Sequence, residues 1–390
     1  MTDDTRLVER LARLVAFDTQ NPPGCEAECA AFVAAELRGI GCNVSLQEYA
    51  PGRANVVASL ANGPGPVFAF NTHMDVVPAG AGWSGDPLRL RAVGDALVGR
   101  GACDAKGPLA AMMEALGLLA KGRAEWSGTV LGVFVADEEA SSQGARHYAA
   151  GRPVIDLVVV GEPSGNAPII AHKGSLRPLV RVAGRMAHSG TPELGLNAIF
   201  EAGRLFPRLA AYHAGLAARA HPLVGQPSLT VTRASAGVAD NIVPDACDLL
   251  LDRRLVPGET EDEVLAELRA LLTRAEEEDG VVSEILCLKP TTGGAAETSP
   301  DHPMVRAAVA AGRRHGVADP TPFGFQGACD FVHFRDIGAQ GVVLGPGDLA
   351  VAHKPDEFVP RAALMAAALI YRDIALDMLG GGPGRVLARP

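Results

Sequence analysis

Apolar residues recur at helical spacing from the start of the chain. Leu7, Val8, Leu11, Leu14 and Val15 share one face, so residues 6–17 are predicted as a helix. Asn21-Pro22-Pro23-Gly24 breaks the pattern and ends it. A second helix is expected over 26–37, where Phe32, Val33 and Leu37 align before Gly39 and Gly41. Short apolar runs then predict strands at 43–48, 54–60 and 66–71, and later at 129–136, 157–160 and 341–344. A helix is expected at 108–120, where Leu109, Met112, Met113 and Leu116 read as an amphipathic face behind a favourable early proline. Strands alternating with helices predict an α/β sheet.

The polar residues that end these runs carry the chemistry. The run 66–71 leads into Asn71-Thr72-His73-Met74-Asp75, the run 129–136 into Asp137-Glu138-Glu139, and the run 157–160 into Gly161-Glu162-Pro163. Asp104 lies in a tight turn, Gly99-Arg100-Gly101-Ala102-Cys103-Asp104-Ala105-Lys106-Gly107, just ahead of a helix. Taken singly, these are a polar turn, a solvated acidic turn and a helix-capping Asp. Together they put carboxylates and an imidazole at strand ends, where α/β sheets carry their sites. Clustered carboxylates repel one another unless a cation sits among them. Asp, Glu and His are donors for a divalent ion. A His beside an Asp also suits a ligand whose second ring nitrogen is held by a carboxylate. The strand 341–344 leads through Gly345-Pro346-Gly347 to His353, which completes a donor set.

Two nucleotide-binding motifs are matched only formally. Gly80-x-Gly82-x-x-Gly85 is followed by Asp86-Pro87 rather than by a helix, and Lys106 is followed by Gly107 rather than Ser or Thr.

After Glu162 the pattern changes. Strand-like runs at 175–185, 228–235, 247–255 and 282–288 enclose helical stretches at 194–217 and 260–276. That β-α-β-β-α-β order is the split ferredoxin-like arrangement. It predicts a second domain over 175–288, inserted into a discontinuous catalytic domain over 1–174 and 289–390. The insert holds His188, Asn241 and Arg254 in turn-like stretches, and its charged helix reads as a solvated face.

Composition narrows the partners. The chain has 390 residues and a formal net charge of −10, which argues against nucleic acid or an anionic membrane surface as the partner. No run of 18 apolar residues predicts a membrane span, and Met1-Thr2-Asp3-Asp4-Thr5-Arg6 lacks the apolar core of a signal peptide. The seven cysteines are scattered without a Cys-x-x-Cys, so a reducing cytoplasm is expected. His147, His172, His213, His221, His302, His315 and His333 are read as structural or solvated, Asp330 as a residue near the pocket, and the glycine-rich tail 380–384 as flexible.

His73-Met74-Asp75-Val76-Val77-Pro78, the Gly99–Gly107 turn, Asp137-Glu138-Glu139, Gly161-Glu162-Pro163, Ala187-His188-Ser189-Gly190 and His353-Lys354-Pro355-Asp356-Glu357 occur in one order along nearly the whole chain. In this the sequence resembles the M20 family of metallopeptidases. Thr72, Cys103 and Ala105 are small departures from that family's usual residues, and none removes a ligand. The resemblance implies a mixed-sheet α/β catalytic domain of the di-metal aminopeptidase type, with the ferredoxin-like α+β insert as lid and dimerisation domain. It implies two divalent ions, usually zinc, with cobalt or manganese as alternatives. Asp104 would bridge them, with His73 and Glu162 on one ion and Glu139 and His353 on the other. Asp75 would orient His73, and Glu138 would be the general base. His188 would reach across from a partner subunit, Asn241 and Arg254 would hold a substrate carboxylate, and Gly345 to Gly347 would shape its pocket. A water shared by two ions ionises near neutral pH, so a hydrolysis is implied, and the overall likeness to the family favours an N-acyl amino acid of the acetylornithine type as its substrate. Dipeptidase, carboxypeptidase and succinyl-diaminopimelate desuccinylase activities use the same ligands.

Overall fold

The computed structural model describes residues 4–380, and the tail beyond Gly380 lies outside the described residues. The chain divides into two compact units, one holding residues up to Ile170, Thr298–Phe323 and the stretch from Asp330 on, the other Ala171–Glu297 and Gly324–Cys329.

The first unit is built on a mixed sheet. Its strands lie in the order Asn43–Ala50, Arg53–Asn62, Gly128–Val135, Val67–His73, Leu157–Val160, Gln340–Val343 and the strand that starts at Ile169. Gly128–Val135, Val67–His73, Leu157–Val160 and Gln340–Val343 run parallel to one another, with antiparallel strands outside them. A parallel centre needs apolar residues on both faces, and Leu157–Val160 is buried throughout while Val67–His73 is buried from Phe68 on. The register sets His73 beside Val135, Asn71 beside Val160, and Val343 beside Val160. All four strands therefore stop at nearly one level, and their following loops emerge along one edge.

The helix Lys106–Lys121 is buried continuously from Lys106 to Gly117. Its sequence reads as amphipathic, but it packs against the sheet on one side and against the helices Asp4–Ala16 and Arg361–Leu379 on others, so no wide polar face remains. Four helices carry no prediction from sequence: Gln143–Ala150, Pro303–Arg314, Phe331–Asp336 and Arg361–Leu379. The hairpin Arg91–Val93 and Ala96–Val98 is joined by a third strand, Phe358–Pro360, from the far end of the chain. No helix follows Gly85 before Lys106.

The second unit contains an antiparallel sheet in the order Ser228–Ala236, Ala246–Leu255, Gly174–Ala183 and Ser283–Lys289. The helices Ala198–Gly215 and Glu261–Asp279 cover it through Leu205, Leu209, Leu268 and Leu272, which meet Val180, Val182, Leu249 and Leu251. Thr260 and Glu263 form a reciprocal capping box that starts the second helix, and Gly280, at φ 71, ends it.

Arg253 is fully buried in this unit and pairs with Glu259 at 3.2 Å. Removing one partner of a buried pair strands the other charge. Arg253→Ala is expected to cost about 3–5 kcal/mol in the transition that unfolds this unit. Denaturant unfolding followed by circular dichroism checks it, and a loss below about 1 kcal/mol would contradict the pairing argument.

Candidate active site

The level strand ends gather the site. His73 is the last residue of its strand, Glu162 follows Leu157–Val160 after one glycine, and Glu138 and Glu139 follow Gly128–Val135 through a turn at Asp137. That turn holds Asp137 at φ 69, a left-handed conformation that costs a non-glycine residue about 1–3 kcal/mol. Its backbone carbonyl accepts the N–H groups of Ser141 and Ser142, which closes the turn. His353 also sits in the left-handed region, at φ 62.

Asp104 stands between two sets of donors. Its Oδ1 lies 3.2 Å from His73 Nε2, and its Oδ2 lies 3.2 Å from His353 Nε2. His353 Nε2 is also 3.2 Å from Glu139 Oε2. His73, Asp104 and Glu162 offer donor atoms within 4.8 Å of one another, and so do Asp104, Glu139 and His353. All are buried or nearly so except His353, whose side chain is 53% exposed.

Two further carboxylates hold this arrangement. Glu357 Oε1 accepts the N–H groups of Cys103 and Asp104, at 2.9 and 3.0 Å, and so fixes the turn that presents Asp104. Its Oε2 is held by Arg100, which also lies over the Trp83 ring. Asp75 accepts the N–H of Glu138 at Oδ1 and that of Glu139 at Oδ2, at 3.1 and 3.2 Å. The His73 ring is oriented less directly than its spacing suggests. Its Nδ1 lies 2.9 Å from the Asp75 backbone carbonyl and 3.6 Å from the Asp75 carboxylate.

The electrostatics describe a cluster that wants cations. Burial raises Glu138 and Glu162 well above the usual carboxylate range; Glu162 adds to the rise at Glu138, and Asp104 to that at Glu162. Burial and the Asp104 charge raise Glu139. Burial alone would raise Asp104, but His353 and His73 outweigh it and hold it low. His353 is pushed up to about 10 by its bonds to Asp104 and Glu139. Burial would lower His73, yet Asp104 and Asp75 raise it well above its ordinary value. The Oε1 of Glu139 is buried with no hydrogen-bond partner. Donors of these types, clustered with surplus negative charge and an orphaned acceptor, fit a pair of divalent ions.

The other expected residues divide between the two units. Gly345 and Gly347 are buried, and their carbonyls accept bonds from the 164–166 loop that follows Glu162. A Cβ on Gly345 would meet the Glu162 carbonyl at 2.7 Å, and one on Gly347 would meet Cys103 Sγ at 2.5 Å. Cys103 thus fills the space beside Gly347, and its buried thiol is raised far above its ordinary value. Asp330 is buried and pushed up to about 6 by burial, against the pull of Ser142 and His73. His188, Asn241 and Arg254 belong to the second unit. There His188 pairs with Ile242 on a short antiparallel bridge that sets Asn241 beside it, and both are exposed. Arg254 is bound by Asp252 at 2.7 Å. Among the histidines read as structural, His302 caps a helix through Met304 N–H, His315 binds Asp373 and His221 binds Glu297. Sequence reading missed Asn21, Arg100 and Glu357, whose work is to hold other residues.

Donor triads that share a carboxylate at the end of a parallel sheet define a metal-dependent amidohydrolase. The profile of Peptidase family M20/M25/M40 matches residues 69–377, and the chain belongs to that family. It is 32% identical to an acetylornithine deacetylase of Vibrio vulnificus over 82% of this chain and 83% of that one. It is 31% identical to an N-acetyl-L-citrulline deacetylase of Xanthomonas campestris over 92% and 94%. Its fold is shared with an M20 metallo-carboxypeptidase of Sulfolobus solfataricus, at TM-score 0.78 and 19% identity over 95% and 98% of the two chains. It is also shared with a dinuclear metal-binding M20 peptidase of Bacillus subtilis, at TM-score 0.72 and 19% identity over 96% and 98%.

Proposed function

We propose that this enzyme hydrolyses the amide bond of an N-acyl amino acid and releases a carboxylate and a free amino acid. The observation that carries the reading is Asp104, whose two oxygens each face a different donor set. The relatives named for acetylornithine and N-acetyl-L-citrulline deacetylation support a small N-acetylated amino acid as substrate.

His73, Asp104 and Glu162 would hold one ion, and Asp104, Glu139 and His353 the other. Imidazole and carboxylate donors suit zinc, with cobalt or manganese as alternatives. Bound ions of this kind lower the pKa of water and polarise a carbonyl. Glu138 would take the proton of the attacking water and deliver it to the leaving nitrogen, work that suits a carboxyl raised above its ordinary range by burial. His188, from a partner subunit, would donate to the oxyanion as it develops. Asn241 and Arg254 would bind the substrate carboxylate, and Gly345 to Gly347 would leave room for it.

The homodimer belongs to the same proposal. In the second unit Phe200 is 72% exposed, with Leu194 and Ile199 also exposed, and Ser228–Ala236 is an edge strand with one side unpaired. Exposed apolar groups beside an open edge suit a second copy of the chain. The cytoplasmic setting is proposed from seven free thiols. No helix among the described residues is long and apolar enough to cross a membrane.

Amine release from N-acetyl-ornithine, N-acetyl-citrulline, N-succinyl-diaminopimelate and a few dipeptides, with chelator-treated protein and added zinc or cobalt, tests the substrate class. Metal-dependent release from an N-acetyl amino acid is expected; release from dipeptides alone would reject the deacylase reading. Glu138→Gln is expected to lower kcat by about 10²–10⁴ while metal content stays unchanged. Retained activity would remove Glu138 as the base. Metal binding at pH 7 should also release protons. His353, at about 10, is protonated there and must lose its proton to ligate. Affinity therefore falls as pH falls. Calorimetry in buffers of different ionisation enthalpy reads the proton count, and a slope of zero would contradict the cluster's charge state. Phe200→Glu should shift the chain toward monomer in sedimentation, and an unchanged dimer would place the interface elsewhere.

A further inference from the structure

We propose that Asn21 is a positioning residue of the hydrolytic centre, coupling the carboxylate beside His73 to the turn that carries Glu138 and Glu139. The inference rests on the reading that these residues form the centre.

Asn21 is 4% exposed. Its side-chain Nδ2 donates to Asp75 Oδ2 at 2.9 Å and to Asp137 Oδ1 at 2.8 Å. A primary amide has two hydrogens, so both are used. Asp75 in turn receives the backbone N–H groups of Glu138 and Glu139. Asp137 is the left-handed residue that begins their turn. One neutral side chain therefore binds the two carboxylates that fix where Glu138 and Glu139 start.

The amide itself has little freedom to shift. The Asn21 N–H donates to the Val76 carbonyl at 2.8 Å, and the Val76 N–H donates to the Thr19 carbonyl at 3.1 Å. The Thr19 hydroxyl donates to the Met74 carbonyl at 2.8 Å. Residues 19–21 are thus sewn to the segment just beyond His73. On the far side Arg53 pairs with Asp137 at 2.9 Å and with Glu26 at 2.6 Å. The line Glu26, Arg53, Asp137, Asn21, Asp75 alternates acceptors and donors without a gap.

This arrangement demands a double donor. An aspartate at position 21 has nearly the same shape but turns both contacts into carboxylate against carboxylate. A leucine leaves Asp75 and Asp137 each short of a donor inside the protein, which is costly for buried charge. Either change lets the Asp137 turn move away from Asp75 and carries Glu138 and Glu139 with it.

The test uses the full-length protein. Zinc affinity of wild type, Asn21→Asp and Asn21→Leu is measured by competition with a chromophoric chelator. Steady-state kinetics follow on the best substrate of the panel above. Both variants are expected to bind at least one zinc about 10–100-fold more weakly, with kcat lowered at least about tenfold at saturating zinc and KM held within about twofold. If wild type binds no zinc, the metal reading itself has failed. If wild type binds zinc and the variants match it in affinity and kcat, the role of Asn21 is overturned, whatever their thermal midpoints. Should those variants not fold, Asn21→Ser, which keeps one donor, is expected to show the same pattern at smaller amplitude. Zinc affinity and kcat of Asn21→Ser equal to wild type would equally overturn the proposal.

Discussion

Negative charge brought together out of water is the constraint on which this structure depends. Asp75, Asp104, Asp137, Glu138, Glu162 and Glu357 are all buried near the carboxyl ends of the central parallel strands. Each carboxylate costs free energy there unless something positive or donating answers it. Asp75 and Glu357 are answered by backbone N–H groups, and Asp137 by Arg53 and Asn21. Asp104 is answered by two imidazoles, and Glu138 and Glu162 by little beyond a raised affinity for protons. Carboxylates with fixed donors hold the loops, while Asp104, Glu139 and Glu162 supply donor atoms to the two triads.

Much of this was legible in the sequence because parallel strands have a plain signature. Val67–His73, Gly128–Val135 and Leu157–Val160 are short apolar runs, each ending abruptly in polar residues. The α/β class, the strand ends and the candidate donors follow from those three runs, the Asp104 turn and the run 341–344 that leads to His353. The β-α-β-β-α-β succession of the second unit, with its charged helix over 260–276, also follows from its periodicity.

What escaped had no local signal. Arg361–Leu379 packs against Lys106–Lys121 and is buried on several sides, so its helical face is not plain from the spacing of its polar residues. Asn21 sits between a helix and two prolines, where an Asn reads as an ordinary turn residue, and only the fold brings it to Asp75 and Asp137. Glu357 lies beside charged neighbours that look solvated, yet it receives the amides of a turn far back in the chain. The spacing of His73 and Asp75 suggested a ring held by a carboxylate, whereas the carbonyl of Asp75 is the nearer acceptor. Strand periodicity says which side a residue faces, not which of its oxygens does the work.

The three-part assembly of the first unit has a consequence for how the protein is made. Its sheet needs Gln340–Val343, and Asp104's turn is fixed by Glu357, both made long after the strands and the turn they complete. Until they arrive, the emerging chain carries its acidic strand ends with an open sheet edge and no anchor for the Asp104 turn. Long-range closures of this kind slow folding and prolong the exposure of unpaired strands. The four-stranded sheet of the second unit is complete by Lys289, so it can form while the strands of the first unit still wait for theirs.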